Sequence, residues 1–230
     1  LGDIPVDPRI GTGGLGHTFP GAVMPMGMVQ VSPDSGTSGW ARTAGFQWGD
    51  GRFLGMSHTH LSGTGIGDGL DLLVAPASPG RPFSSSGGVG VWTYRPEAFW
   101  CEPGYVALRI HETGVLVEAA AGRRMAVHRF TFPRGARAML AWDLRHAHET
   151  DRVEAGGFRL IRAREAEGWR VTRGWSPEHR IAFSLLFSHP VKKMGGGGDG
   201  DPLKGVLDFG FIDGPLCVSV GVSSRTPDQA

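Results

Sequence analysis

Two histidine pairs in this chain have the spacing of metal ligands. A His-x-His pattern occurs at residues 58–60 and again at 146–148. On a β-strand, residues i and i+2 share a face, so each pair could present both imidazoles to one ion. With Asp68 or Glu149 as a further ligand, the pairs could hold zinc or iron. The alternative is hydrogen-bonding histidines in polar loops. Nothing in the sequence brings the two pairs together, and the charged stretch at 149–152 predicts a solvated loop.

The segment around the first histidine pair is dense in polar side chains. Six of the eight residues from 57 to 64 are Ser, Thr or His, and they lie among glycines. Such a density of donors and acceptors suits a polyol ligand such as a sugar. The candidate contacts are His58, His60, Ser62 and Thr64, with Asp68 just beyond them. In the alternative, the hydroxyl groups bond to their own backbone, and the residues alone leave both interpretations open.

Two tryptophans in glycine-rich loops support a sugar ligand. Trp40 follows Gly39, and Trp48 precedes Gly49. The apolar C–H face of a sugar can rest on an indole ring, although packing against the core is the alternative role. The other five tryptophans lie in or beside strand-like segments, and we expect them in the core or on a sheet surface: Trp92, Trp100, Trp142, Trp169 and Trp175.

Other catalytic chemistries have little support in the residues. Asp34, Asp50, Asp68 and Asp71 do not form a carboxylate pair that the sequence can certify for glycoside hydrolysis. The glycine run at 11–16 lacks the following helix that a phosphate-binding loop needs. No Gly-x-Ser-x-Gly motif marks a serine nucleophile. Asp199 and Asp201 could touch calcium, but two acids in a glycine-rich tip are more simply explained as solvated.

Composition limits the elements that can position these residues. The chain of 230 residues contains 38 Gly and 16 Pro, which disfavours long helices. The apolar fraction is 40%, so the chain is not a disordered segment. A net charge of +1 gives no reason to expect nucleic acid as a partner, and no apolar run predicts a membrane span. The sequence does not decide whether Cys101 and Cys217 form a disulfide.

Alternating apolar residues predict a long series of short strands. The pattern is regular from about residue 104, and segment 127–132 is its clearest example. Turn signals recur every 10 to 15 residues, so we predict an all-β fold, a large antiparallel β-sandwich with little helix. The best helical candidate, 162–168, is equally a polar strand. Residues 195–198 predict a flexible hairpin tip. No linker divides the chain, so we predict one domain spanning residues 1–230.

Several motifs together resemble glycoside hydrolase family 92. The resemblance is strongest in the N-terminal glycine-rich segments and in the loop containing the first histidine pair. It rests on residues 6–14, 16–22, 25–30 and 55–65, and later on 102–105, 127–133, 174–175 and 183–190. It implies the N-terminal β-sandwich of the family, of supersandwich type.

The resemblance carries expectations about activity. It implies a calcium-dependent, inverting exo-α-mannosidase of α-1,2-mannosidase type that acts on N-glycans or mannans, in the periplasm or secreted. Such enzymes pair this sandwich with a larger helical-barrel domain, which holds the general acid, the base and most calcium contacts. That domain's motifs are absent here, so the resemblance implies no catalytic residue and no metal ligand in this chain. The chain opens at Leu1 and stops at Ala230, which we interpret as an excised domain that is inactive alone.

The resemblance also limits which residues can be assigned to a substrate site. It implies that Trp40 and the loops at 46–50 and 57–65 wall the mannose pocket. The family usually has Tyr where Trp48 stands, which leaves the role of Trp48 in doubt. The metal interpretation of the histidines becomes much weaker. The alternative function is a free-standing carbohydrate-binding module. A domain that docks on a larger one should also expose an apolar patch, to which Met24, Met26 and Met28 could contribute.

Overall fold

The computed structural model describes residues 6–80, 90–196 and 200–230. In those ranges the chain forms strands and three short 3-10 turns, with no α-helix. The turns are Trp40–Arg42, Pro96–Ala98 and Pro227–Gln229. The prediction of an all-β chain with little helix is confirmed.

Seven strands form the first sheet, and all neighbours in it are antiparallel. Its spatial order is β1 (Ala22–Val23), β2 (Gln30–Asp34), β4 (Gly55–Ser57), β5 (Leu73–Pro76), β11 (Ala138–Asp143), β16 (Lys204–Gly210) and β15 (Lys193–Gly196). A separate two-stranded ladder pairs β3 (Arg52–Phe53) with β6 (Trp92–Thr93).

Eight strands form the second sheet, again antiparallel throughout. Its order is β12 (Arg152–Arg162), β13 (Glu165–Arg173), β14 (His179–Phe187), β17 (Leu216–Ser223), β10 (Met125–Thr131), β9 (Leu116–Ala121), β8 (Tyr105–Arg109) and β7 (Phe99–Glu102). The helical candidate at 162–168 proves to be the β12–β13 hairpin. The two large sheets confirm the antiparallel β-sandwich.

One hydrophobic cluster joins the two sheets. Phe130 and Phe183 of the second sheet belong to the same buried cluster as Leu140 and Leu207 of the first. Strand β10 alternates strictly between exposed and buried residues, as its period-2 sequence predicts. Trp92 and Trp142 are buried in this core, whereas Trp100 and Trp169 are half-exposed, so these four agree with the prediction of core or sheet-surface positions.

The N-terminal region is built differently, from very short strands and tight loops. Gly45 shows why these loops need glycine. Its φ of +78° is unfavourable for a side chain, and a Cβ there would lie 2.2 Å from Asp34 Oδ1. The glycine therefore allows the backbone to pack directly against a buried carboxylate. That carboxylate is central to the site described below.

The remaining structural expectations have mixed outcomes. Cys101 and Cys217 are free thiols, so the possible disulfide is absent. Met26 is fully exposed and Met24 partly so, as expected for an apolar surface patch. Of the proposed flexible tip, Gly195 and Gly196 belong to β15, and the rest lies outside the described residues or borders them. None of the helical turns in the described ranges could cross a membrane.

Candidate functional site

A cleft of about 450 Å³ opens between two exposed tryptophans, Trp40 and Trp175. Their exposed fractions are 62% and 67%, which is unusual for residues that normally bury most of their surface. Residues from four loops form the rest of the lining: Thr43, Gly65, Ile66, Gly67, His148, Glu149, Thr150 and Gly174. We call this site the tryptophan cleft.

Neighbouring residues pack against the Trp40 side chain and hold it in place. The ring of His17 meets Trp40 edge-on, with 5.1 Å between ring centroids. His17 Nδ1 in turn lies 3.0 Å from the Thr43 hydroxyl. A Cβ on Gly65 would lie 3.1 Å from the Trp40 ring, so only glycine lets this loop pack so closely. The indole is therefore fixed in place while most of its surface faces solvent.

The position of Trp175 differs from the one that the sequence predicted. Trp175 was expected in the core or on a sheet surface, but it lies in the loop between β13 and β14. Gly174 before it and Pro177 after it are turn signals that could have shown this, since both residues punctuate strands. Trp175 thus joins Trp40 as an exposed aromatic residue in a loop.

His148 forms the floor of the cleft and is buried. Its Nδ1 lies 2.8 Å from the Thr150 hydroxyl and 3.3 Å from the Thr150 backbone nitrogen, which leaves Nε2 as the second polar atom of the ring. That Nε2 is buried and has no hydrogen-bond partner among the described residues. A Cβ on Gly67 would lie 2.2 Å from Nδ1. The expectation of a solvated loop was wrong for His146 and His148, which are only 7% and 3% exposed, whereas Glu149 and Thr150 do form an exposed turn.

The two histidine pairs meet at Asp34, which the sequence did not predict. His60 Nε2 lies 2.9 Å from Asp34 Oδ1, and His146 Nε2 lies 2.7 Å from Oδ2. His60 Nδ1 also faces the carbonyl of Gln30 at 2.7 Å. Both His60 nitrogens are therefore held, one by the Asp34 carboxylate and the other by a backbone carbonyl.

Asp34 stays ionised in this fully buried position. Burial raises its pKa, but the charge and hydrogen bonds of His60 and His146 outweigh that effect and hold the pKa well below its usual range. The carboxylate thus ties together the end of β2, the loop after β4 and the loop after β11. These segments lead into the Trp40 and His148 parts of the cleft.

A second buried ion pair anchors the loops to the eight-stranded sheet. Arg170 Nε lies 2.5 Å from Asp71 Oδ1, and His179 Nε2 lies 2.8 Å from Oδ2. Arg170 also donates to the carbonyls of Leu144, His146 and Gly69. Burial raises the pKa of Asp71, but Arg170 and His179 outweigh it and lower that pKa below its usual range. One arginine therefore satisfies backbone from two loops.

His58 faces the core of the sandwich instead of the cleft. Its Nδ1 donates to the Leu72 carbonyl at 2.8 Å, so its Nε2 accepts from His128 Nε2 at 2.9 Å. Burial lowers the pKa of His58 to about 4 and that of His128 well below its ordinary value. Both rings are therefore neutral near pH 7.

The predicted ligand contacts separate into three groups. Trp40 lines the cleft, while Ser62 and Thr64 are exposed on a neighbouring loop, where the Thr64 hydroxyl accepts from the Ile66 N–H. His58 and His60 lie buried beneath that loop, and Asp68 is half-buried and accepts from the Gly69 N–H. Trp48 lies elsewhere, against Phe99.

The residues described do not form a calcium or zinc cage. No group of three or more His, Cys, Asp or Glu side chains in those ranges could hold a metal ion. Asp34 and Asp71 are occupied by histidine and arginine partners, and Asp201 pairs with Arg145. Asp199, the other proposed calcium contact, lies outside the described residues. The Asp34, Asp71 and Asp201 carboxylates serve internal ion pairs and hydrogen bonds.

Fold and cleft together define an antiparallel β-sandwich domain with a cleft between two exposed tryptophans. A family model described as the glycosyl hydrolase family 92 N-terminal domain matches residues 5–223. The chain belongs to this family, as its motifs predicted.

Solved structures agree with this assignment. A family GH92 α-mannosidase from Bacteroides thetaiotaomicron, determined in complex with mannoimidazole, superposes with a TM-score of 0.88 at 26% identity. The match covers 97% of this chain and 32% of that one. An inverting GH92 mannosidase from the same organism shares the fold, with a TM-score of 0.74 at 18% identity over 96% of this chain and 31% of the other.

A curated protein also matches. An uncharacterized secreted glycosidase of Arthroderma benhamiae is 28% identical over 133 residues, which is 56% of this chain and 17% of that protein. The chain therefore spans about a third of its solved relatives and less of this curated one.

Proposed function

We propose that this chain is the substrate-pocket domain of an inverting α-mannosidase. The whole enzyme would remove terminal α-mannosyl residues, of α-1,2 type, from N-glycans or mannans. The tryptophan cleft is the observation that carries the proposal, because two exposed, fixed indoles suit the C–H faces of a pyranose. The match to a mannosidase solved with mannoimidazole supports mannose as the sugar.

In this proposal the domain positions substrate and the hydrolysis occurs elsewhere. Asp34, His60 and His146 hold the loops in place, while Trp40 and Trp175 contact the sugar. Ser62, Thr64 and Asp68 lie on the same loop as Gly65 and would contact substrate from the rim. The general acid and base would come from a helical-barrel domain in the remaining two thirds of a protein as long as the solved relatives. A carbohydrate-binding module without a catalytic partner is less favoured by those relatives.

Cofactor and location follow from the same proposal. Calcium would be held mainly by the helical domain, since no group of three or more His, Cys, Asp or Glu side chains among the described residues could hold a metal ion. We propose a secreted or periplasmic enzyme, which the secreted relative supports.

The test compares the domain with the complete enzyme. The full-length protein should hydrolyse an aryl α-mannoside in calcium buffer, and proton NMR should show the β-anomer of mannose as the first product. The present chain alone should show no turnover. Trp40→Ala and Trp175→Ala in the full-length protein should each raise KM several-fold with an unchanged fold. Turnover by this chain alone, or retention at the anomeric carbon, would overturn the proposal.

A further inference from the structure

A second cleft lies at the edge of the eight-stranded sheet. It measures about 450 Å³ and is lined by Arg9, Phe99, Trp100, Cys101, Glu102 and Tyr105. It has no lining residue in common with the tryptophan cleft. We call it the edge cleft. Strand β7, which carries four of these residues, is the last strand of its sheet among the residues that the structure describes, and no described strand pairs with its outer edge.

Trp100 gives the edge cleft an unoccupied aromatic surface. The residue is 47% exposed, and it faces Ala107 across the β7–β8 ladder. Ala107 is small, and the residues on either side of it on the same face of β8 are Tyr105 and Arg109. Within the described part of the chain, Trp100 has no ring partner and no side-chain hydrogen bond. The ring is therefore free to receive a flat apolar ligand face.

Charged and polar groups surround this ring. Glu102 lies two residues further along β7, on the same face, and is exposed. It makes no hydrogen bond or ion pair with another described residue. The opposite wall contributes Arg9, whose guanidinium is oriented by Asp7 at 2.8 Å and lies 5.6 Å from the ring centre of Trp48. A carboxylate acceptor and a guanidinium donor thus line the same cleft as the indole.

Tyr105 also lines the edge cleft and offers a hydroxyl oxygen that can accept a hydrogen bond. Its hydroxyl donates to Glu118 Oε1 at 2.8 Å. Burial and the Glu118 carboxylate raise the pKa of Tyr105 to about 12, so the phenol keeps its proton. The oxygen lone pairs of this phenol can still accept from a ligand hydroxyl.

We propose that the edge cleft is a second carbohydrate-binding site that takes one pyranose unit of a glycan chain. The C–H face of the sugar rests on Trp100, Glu102 accepts hydrogen bonds from its hydroxyls, and Arg9 donates to one of its oxygens. Opposite charges on these two groups favour a neutral ligand, because an anion meets Glu102 and a cation meets Arg9. The open edge lets the glycan continue in either direction, so internal units fit as well as terminal ones.

This inference goes beyond the hydrolytic role. A glycan held at the edge cleft would keep a polymeric substrate on the protein between encounters with the tryptophan cleft. It also gives the Arg9–Trp48 contact a role. The Trp48 ring, 5.6 Å from the Arg9 guanidinium, helps to hold the group that donates to the sugar.

Affinity electrophoresis in native gels containing soluble α-mannan tests the site on this chain directly. The wild-type chain should be retarded relative to a gel without mannan. Trp100→Ala should weaken the apparent affinity on the order of tenfold, as expected for loss of an aromatic platform. Glu102→Gln should weaken it by a smaller factor.

Matched variants separate the edge cleft from other sites. Trp169→Ala removes another half-exposed tryptophan from the same sheet and should leave the retardation unchanged. Trp40→Ala should also leave most of it, so failure of the mannosidase proposal would not affect this result. Trp100→Phe keeps an aromatic ring and should retain part of the affinity. It serves as a control, because a loss of binding in Trp100→Ala alone could also come from misfolding. A wild-type chain that mannan does not retard would overturn the proposal. So would equal retardation of wild type, Trp100→Ala and Glu102→Gln, each measured against its own mobility in the gel without mannan.

Discussion

The loop half of the molecule (residues 6–76) and the sheet half (residues 99–223) are stabilised in different ways. Strands β1 to β5 contain two to five residues, whereas β7 to β14, β16 and β17 contain four to eleven. In the sheet half, β10 and β13 bury alternate residues, and β16 is buried along its whole length. The loop half instead relies on buried polar groups, above all Asp34 and Asp71, whose partners include residues from the sheet half. Regular structure therefore provides the frame, and buried polar contacts shape the site on it.

The largest expected effect comes from cutting the connection between the halves. Arg170→Met leaves the Asp71 carboxylate buried without its main cationic partner. We expect a loss of about 3–5 kcal/mol in the free energy of unfolding, as for other broken buried ion pairs. Urea denaturation measures it. Arg159→Met removes an exposed pair with Glu167 and should cost less than about 1 kcal/mol. Equal losses in the two variants would show that burial of the pair does not matter.

The His58–His128 pair should make stability pH-dependent where the halves meet. Burial lowers the pKa of His58 from 6.5 to about 4. Between these values the unfolded chain binds the proton and the folded chain does not, so stability falls as pH falls from 6.5 to about 4. The loss from His58 should reach roughly 3 kcal/mol. Asp34 and Asp71, whose pKa values are lowered, contribute losses only as pH falls further, from about 4 downward.

Denaturation curves across this pH range measure the His58 effect. The double variant His58→Leu/His128→Leu removes both titrating rings and should flatten the profile above pH 4. A slope that persists in the double variant would assign the pH dependence to other groups.

Adding one methyl group should disturb the loop half more than the sheet half. In Gly67→Ala, the new Cβ would lie 2.2 Å from His148 Nδ1, and the ring is buried. We expect a loss of about 1–3 kcal/mol from overpacking, with a shifted His148 resonance in NMR spectra. Gly195→Ala on β15 meets no atom within 4 Å and should change stability little. If the two variants were equally stable, the tight packing of the Gly67 loop would be disproved.

The smallest effect on stability should come from the cleft walls themselves. Trp175→Ala removes a side chain that is 67% exposed, so the change should stay within about 0.5 kcal/mol. Trp92→Ala, in the buried core, should instead cost about 3–5 kcal/mol. Thermal unfolding of both variants measures the contrast. A large loss in Trp175→Ala would mean that this indole supports the fold.

The sequence predicted the sheet half of the molecule better than the contacts of the loop half. The strand at 127–132 was recognisable because its alternation is local, and the observed strand is Met125–Thr131. The contact of His146 with Asp34 joins residues 112 positions apart, and no local pattern records it. Trp40 was recognised from its glycine-rich loop. Trp175 was missed because β-rich residues precede it, although Gly174 and Pro177 mark its loop.

The distance along the chain between Asp71 and Arg170 has a consequence for synthesis. Arg170 is added 99 residues after Asp71. At about 5–20 residues per second, that delay is roughly 5–20 seconds. During this time the loop half has left the ribosome without the arginine that neutralises its buried carboxylate. The loops that Arg170 joins therefore cannot reach their final arrangement until the β12–β13 hairpin has emerged.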